Sequence, residues 1–210
     1  LSPNASLVKY AKKTTMISIH CMVRPRAGDF TYSTEDLNLM EYEIETYADL
    51  GVDGIVFGVL NLENELDLKA ITKLAKLAHL IKLDVTIHRA FDFVTDHKSA
   101  MENLINLGAK RILTSGKADT ANKGLTIIRE LVELSNDRIE IMPGSGVNAE
   151  NVKEILNKTL AGSVHCSASE RKNKFESLSL KLGGVSSDLS YQCTSLIKLH
   201  DIKKIISSCL

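Results

Sequence analysis

Tryptophan is absent from the 210-residue chain, and there are only three prolines and five each of tyrosine and phenylalanine. Scarce proline leaves regular elements uninterrupted, and scarce aromatics mean that the core must be built from aliphatic side chains. No apolar run approaches the roughly 20 residues that span a bilayer, and the first residues lack a basic segment followed by an apolar signal core. Charge of one sign is also missing: Lys+Arg and Asp+Glu stand at 26 each and the basic residues are dispersed. Neither nucleic acid nor a membrane surface is therefore expected as a partner. The four cysteines, Cys21, Cys166, Cys193 and Cys209, form no CxxC pair and no metal-finger spacing. In a reducing compartment that pattern means free thiols, so a cytoplasmic location is expected. No HExxH, no serine-centred elbow and no lysine at a strand end appears, which removes the usual zinc-hydrolase, serine-hydrolase and Schiff-base signatures.

What is present is an ordinary globular composition, 44% hydrophobic and 25% charged, enough for one sizeable core. A single domain over residues 1–210 is expected. Short β-branched runs occur at Ile17 to Val23, Gly54 to Val59, Val85 to His88, Arg111 to Thr114, Ile139 to Met142 and Ser163 to Cys166. Helical patterns lie between them. Ser33 to Leu50 places Leu37, Met40, Ile44 and Tyr47 on one face, opens on a serine cap and stops at Gly51. Similar logic predicts helices near Asp67 to Ile81, Asp96 to Leu107, Lys123 to Leu134, Asn148 to Lys158 and Thr194 to Ser207. A first helix follows Ser2-Pro3-Asn4, with the proline in its opening turn. The polar stretch from Ser167 to Thr194, containing Gly183-Gly184, is expected to be a crossing or lid between the last strand and the last helix.

Strands alternating with helices require crossover connections of about a dozen residues or more, which makes the sheet parallel. Periodicity alone leaves open whether that sheet is doubly wound or closed into a barrel. The strand ends carry the chemistry. Ile17 to Val23 runs into Arg24-Pro25-Arg26, Val85 to Ile87 into His88-Arg89-Ala90-Phe91-Asp92, and two others into Thr114-Ser115-Gly116 and Pro143-Gly144-Ser145-Gly146.

These motifs, with Asp53-Gly54-Ile55-Val56-Phe57-Gly58 and His165-Cys166-Ser167-Ala168, together resemble the CutC copper-homeostasis family in order and spacing from about Pro3 onward. The resemblance implies a TIM-type (β/α)8 barrel, here incomplete with about six parallel strands and seven helices. It also implies a cytoplasmic and nuclear location and a role in handling copper. It further implies that the first two strands of the family barrel, with the cysteines usually taken as Cu(I) ligands, precede Leu1. If 210 residues are the whole polypeptide, the expectation is a six-stranded remnant with open, association-prone edges on the third and eighth strands of the full pattern, and a homo-oligomer. The alternative is a truncated gene model or an isoform, and the missing initiator Met favours a fragment.

Cu(I) is soft and prefers sulfur and imidazole, so Cys166, Met22 and His165 are the candidate metal ligands near strand ends. Strand alternation sets His20, Met22 and Arg24 on one face and Cys21 with Val23 on the other, which makes Cys21 a buried thiol against the helices. The same alternation turns His165 away from Cys166. Cys193 and Cys209 belong in or beside the terminal helix. A second chemistry competes: an enzyme acting on a small phosphorylated or carboxylated metabolite, with His88 and Asp92 as acid–base pair. Arg24, Arg89 and the Gly144-Ser145-Gly146 turn would then bind the anionic group. The plainer alternatives are that Arg89 and Asp92 pair to cover the rim, that His88 is hydrogen-bonded inside, and that the turn needs glycine only for its bend.

Overall fold

The computed structural model describes residues 1–172 and 190–208. The elements begin with α1 (Ala5–Thr14), β1 (His20–Met22), α2 (Thr34–Asp49), β2 (Gly54–Phe57), α3 (Leu68–Leu80) and β3 (Asp84–Ile87). A 3-10 turn (Arg89–Phe93) leads into α4 (His97–Asn106), β4 (Arg111–Thr114), α5 (Leu125–Ser135), β5 (Glu140–Pro143) and α6 (Val152–Thr159). Next come β6 (Ser169–Lys172), β7 (Tyr191–Thr194) and α7 (Leu196–Ser207).

Strands β1 to β5 form one parallel sheet in sequence order, each pair joined by a helix, as in a barrel wall wound in one direction. One strand face, carrying Cys21, Ile55, Phe57, Val85, Ile87, Ile112 and Ile141, is buried, and it shares a single apolar core with Met40, Ile44, Leu74, Leu104, Ile128 and Ile155 of the helices. The other face holds His20, Met22, Thr86, Arg111, Glu140 and Met142, with Arg111 Nε donating to Glu140 Oε2 at 2.6 Å across the β4–β5 pair. The interior of this wall is thus unusually polar at its amino end.

Several boundaries differ from the sequence reading, three of them for a visible reason. Strand β1 begins at His20 rather than Ile17, because the Ile19 amide is taken by the Asp53 carboxylate at 2.8 Å and Ile17 faces solvent. Pro3 lies outside α1, whose cap is Asn4, accepting from the Ser6 amide at 2.8 Å. Helix α6 starts at Val152 because Asn148 to Asn151 close a turn of their own, the Asn148 amide donating to Asn151 Oδ1 at 2.9 Å.

The expected sixth strand, Ser163 to Cys166, is an extended segment joined to β5 through the His165 amide and the Pro143 carbonyl at 2.8 Å. The parallel sheet therefore has five strands among the described residues. The stretch expected as a crossing instead begins and ends in an antiparallel ribbon, β6 paired with β7. Gly183, Gly184 and Cys209 lie outside the described residues.

Candidate functional site

The loop after β1 is pinned before it can present anything. Arg26 Nε donates to Asp36 Oδ2 at 3.2 Å, and its Nη2 donates to Asp29 Oδ1 at 2.9 Å and to the Thr31 carbonyl at 2.5 Å. Asp36 is also the capping-box residue of α2, accepting from the Ser33 amide while its own amide donates to Ser33 Oγ. The loop is thereby fixed to the first turn of that helix. It presents Arg24, Phe30 and Tyr32. The Arg24 guanidinium lies 4.7 Å from the centre of the Phe30 ring and donates through Nη2 to the Gly28 carbonyl at 2.7 Å. The Phe30 ring lies in turn 4.9 Å from the His88 imidazole.

His88 ends β3 and caps the 3-10 turn, its Nδ1 accepting from the Ala90 amide at 3.1 Å. A nitrogen that accepts carries no proton, so in the neutral ring the proton sits on Nε2. That Nε2 is buried and has no partner among the described residues. Burial pulls the His88 pKa down to about 4, with the Arg24 charge acting in the same direction. The ring is therefore a neutral hydrogen-bond donor at pH 7. A side chain at Gly58 would come within 2.8 Å of both this ring and the Ala90 Cβ, so only glycine leaves the imidazole its place.

Asp92 does not touch His88. Its carboxylate accepts from Arg89 Nε at 2.8 Å, from the Ser115 and Lys117 amides at 3.1 and 3.2 Å, and from the Thr114 hydroxyl. Arg89 completes the clamp, donating to Ser145 Oγ at 3.2 Å, Ser115 Oγ at 2.8 Å and the Ala118 carbonyl at 3.1 Å. These two side chains tie together the carboxyl ends of β3, β4 and β5. The tautomer of His88 is fixed by a backbone amide rather than by a carboxylate, and both Asp92 oxygens are engaged, Oδ2 also accepting from the Ser115 hydroxyl at 2.9 Å.

The Gly144-Ser145-Gly146 turn follows β5, with Ser145 and Gly146 both at positive φ (79° and 72°). Ser145 Oγ donates to the Asp119 carbonyl at 2.8 Å while accepting from Arg89. Ser145, Gly146, Arg89, His165, Cys166 and Ser167 line a cavity of about 230 Å3. His165 and Cys166 both border this cavity, and their segment is not a strand. Burial lowers the pKa of His165 and raises that of Cys166.

The remaining soft residues scatter. Met22 lies on β1, at the opposite edge of the sheet order from His165 and Cys166. Cys21 is 3% exposed, and burial pushes its thiol up to about 11. Cys193 lies on β7, its Sγ 3.9 Å from Glu170 Oε1. Among the described residues no three His, Cys, Asp or Glu side chains come together as a metal-holding group. Sequence reading passed over Tyr32 and Lys117, and named Gly58 and Ser115 only within motifs, without their contacts. They sit at strand ends and in loops, where no periodicity marks a side chain's direction, and only a residue-by-residue hydrogen-bond account finds them.

A parallel α/β wall whose helices cover one face, and whose strands converge polar groups at their carboxyl ends, defines a protein of the TIM-barrel-like α/β class. The CutC family model matches residues 1–170. The CutC-named protein of Glaesserella parasuis is 40% identical over 209 residues, covering 99% of this chain and 85% of that one, and its counterpart in Vibrio atlanticus is 39% identical over 206. The solved CutC of Streptococcus agalactiae, named for copper homeostasis, superposes with a TM-score of 0.74 at 34% identity over 78% of this chain and 80% of that one. The chain belongs to the CutC family. Deoxyribose phosphate aldolase from Aeropyrum pernix, at 13% identity and a TM-score of 0.59 over 78% of this chain and 69% of that one, shares the fold alone.

Proposed function

We propose that this CutC-family chain serves copper homeostasis in the cytoplasm and nucleus by holding Cu(I) between the Cys166 thiolate and the His165 imidazole. The observation that carries the reading is that both residues line one cavity of about 230 Å3 at the carboxyl end of the sheet. A thiolate and an imidazole are the donor types that a soft ion selects. Burial keeps His165 unprotonated near neutrality, so its lone pair is available without displacing a proton. The same burial keeps Cys166 protonated until metal arrives, so binding must release a proton. Met22, at the far edge of the sheet, takes no part. Cys21, Cys166 and Cys193 are all free thiols, in keeping with a reducing compartment.

The test is an anaerobic Cu(I) titration against a competing chelator, at several pH values, with Cys166→Ser and His165→Gln alongside. The expected result is one-to-one binding that tightens by up to about tenfold per pH unit below the thiol pKa and is lost in Cys166→Ser. Affinity independent of pH and unchanged in both variants would remove this site from copper handling.

A further inference from the structure

At the other side of the barrel mouth two polar atoms, Arg24 Nε and His88 Nε2, are buried without a partner among the described residues, and the buried Tyr32 hydroxyl beside them interacts with the Arg24 side chain. Both unpartnered atoms are obligatory donors. Arg24 carries its charge with no carboxylate within ion-pair distance among the described residues, although its neighbour Arg26 has two. Arg24 also acts electrostatically on both of the other groups, lowering the pKa of His88 and opposing the burial that raises Tyr32. The Phe30 ring packs against both the Arg24 guanidinium and the His88 imidazole, so the two groups share one apolar neighbour.

A buried donor left unpaired is costly, and a half-buried cation without a counter-ion more so. Native chains keep such groups where a ligand completes them. We propose that Arg24, Tyr32 and His88 form a binding site for a small oxyanion, a carboxylate or a phosphate, with the Arg24 guanidinium supplying the charge. The neutral Nε2–H of His88 and the Tyr32 hydroxyl donate to its oxygens. The locked tautomer serves this role directly, because a ring held by the Ala90 amide can only donate inward. Arg89 and Ser145, whose polar atoms already hold the rim together, lie outside the site. The proposal is independent of copper, since neither His165 nor Cys166 contributes.

Inorganic phosphate and, separately, acetate would be titrated into the isotope-labelled full chain while the His88 ring signals are followed by NMR. Wild type would be compared with Arg24→Met, which keeps an apolar stem over Phe30, and with Tyr32→Phe, which keeps the ring. The expected outcome is a saturable shift of the His88 Nε2–H signal with at least one of the two anions, weakened by about tenfold or more in each variant. The anion that binds more tightly identifies the oxyanion class. No saturable shift with either anion, or an unchanged binding constant in either variant, overturns the proposal, and both results leave the Cu(I) titration unaffected.

Discussion

At the scale of single residues, His88 joins local geometry to a measurable property. A neutral imidazole with a folded pKa of about 4, against 6.5 when free, binds its proton more weakly folded than unfolded. Stability from this group is therefore fully present above pH 6.5 and is lost as pH falls toward 4, where the folded ring at last takes up its proton. At about 1.4 kcal/mol per pKa unit the loss is on the order of 3 kcal/mol. His20 and His165 are shifted the same way, so the comparison must isolate one ring. Urea unfolding of wild type and His88→Gln between pH 7 and pH 4 does so. The difference in unfolding free energy between the two is expected to change through that window in favour of the variant as pH falls. A constant difference would show that His88 is not held neutral by the fold.

At the scale of elements, the Arg89–Asp92 clamp joins three strand ends through side chains that belong to one 3-10 turn. Asp92 is nearly buried, its side chain 5% exposed, and it satisfies two backbone amides of the loop after β4 as well as the guanidinium. Asp92→Ala would strand that cation and those amides together, a loss of about 3–5 kcal/mol. Exposed Asp119, whose side chain pairs with Lys123 alone among the described residues, should cost under about 1 kcal/mol when changed to alanine. Thermal melts of the two variants decide this: equal shifts would mean that the rim is not held by the clamp.

The same scale shows what was legible in the sequence. Helix α2 was readable at both ends because Ser33 and Gly51 carry their own conformational signals. The parallel sheet was readable because buried strands repeat apolar runs between amphipathic helices. The β6–β7 ribbon was not, since Ser169-Glu170-Arg171-Lys172 has no apolar alternation and finds its partner some 20 residues away. At the site, His88, Arg24 and Asp92 stood out as charge at strand ends, but their partners did not. Whether Asp92 serves chemistry or scaffold depends on amides at Ser115 and Lys117, and residue order carries no record of those contacts.

At the scale of the whole molecule, the five parallel strands described run in sequence order from β1 to β5, and these two outer strands differ in exposure. The β5 end is partly covered by the Ser163 to Cys166 segment. At the other end β1 is hydrogen-bonded to β2 on one side, among the described residues; beyond its end Ser2 pairs with the Arg24 backbone, and it is led in by Met16 and Ile17, which are 101% and 72% exposed. An edge strand flanked by exposed apolar side chains is a template for pairing, and in a chain with no net charge no long-range repulsion opposes approach. Two copies meeting edge to edge through β1 would form a closed, two-fold arrangement rather than an open fibre. The weight-average mass of the 210-residue chain, followed by sedimentation equilibrium, is therefore expected to rise above 23.1 kDa with concentration. Ile17→Lys, which sets a charge beside the edge without touching the core, should hold it near the monomer value. A wild-type mass that stays at 23.1 kDa at every concentration would mean that the β1 edge is protected by its shortness alone.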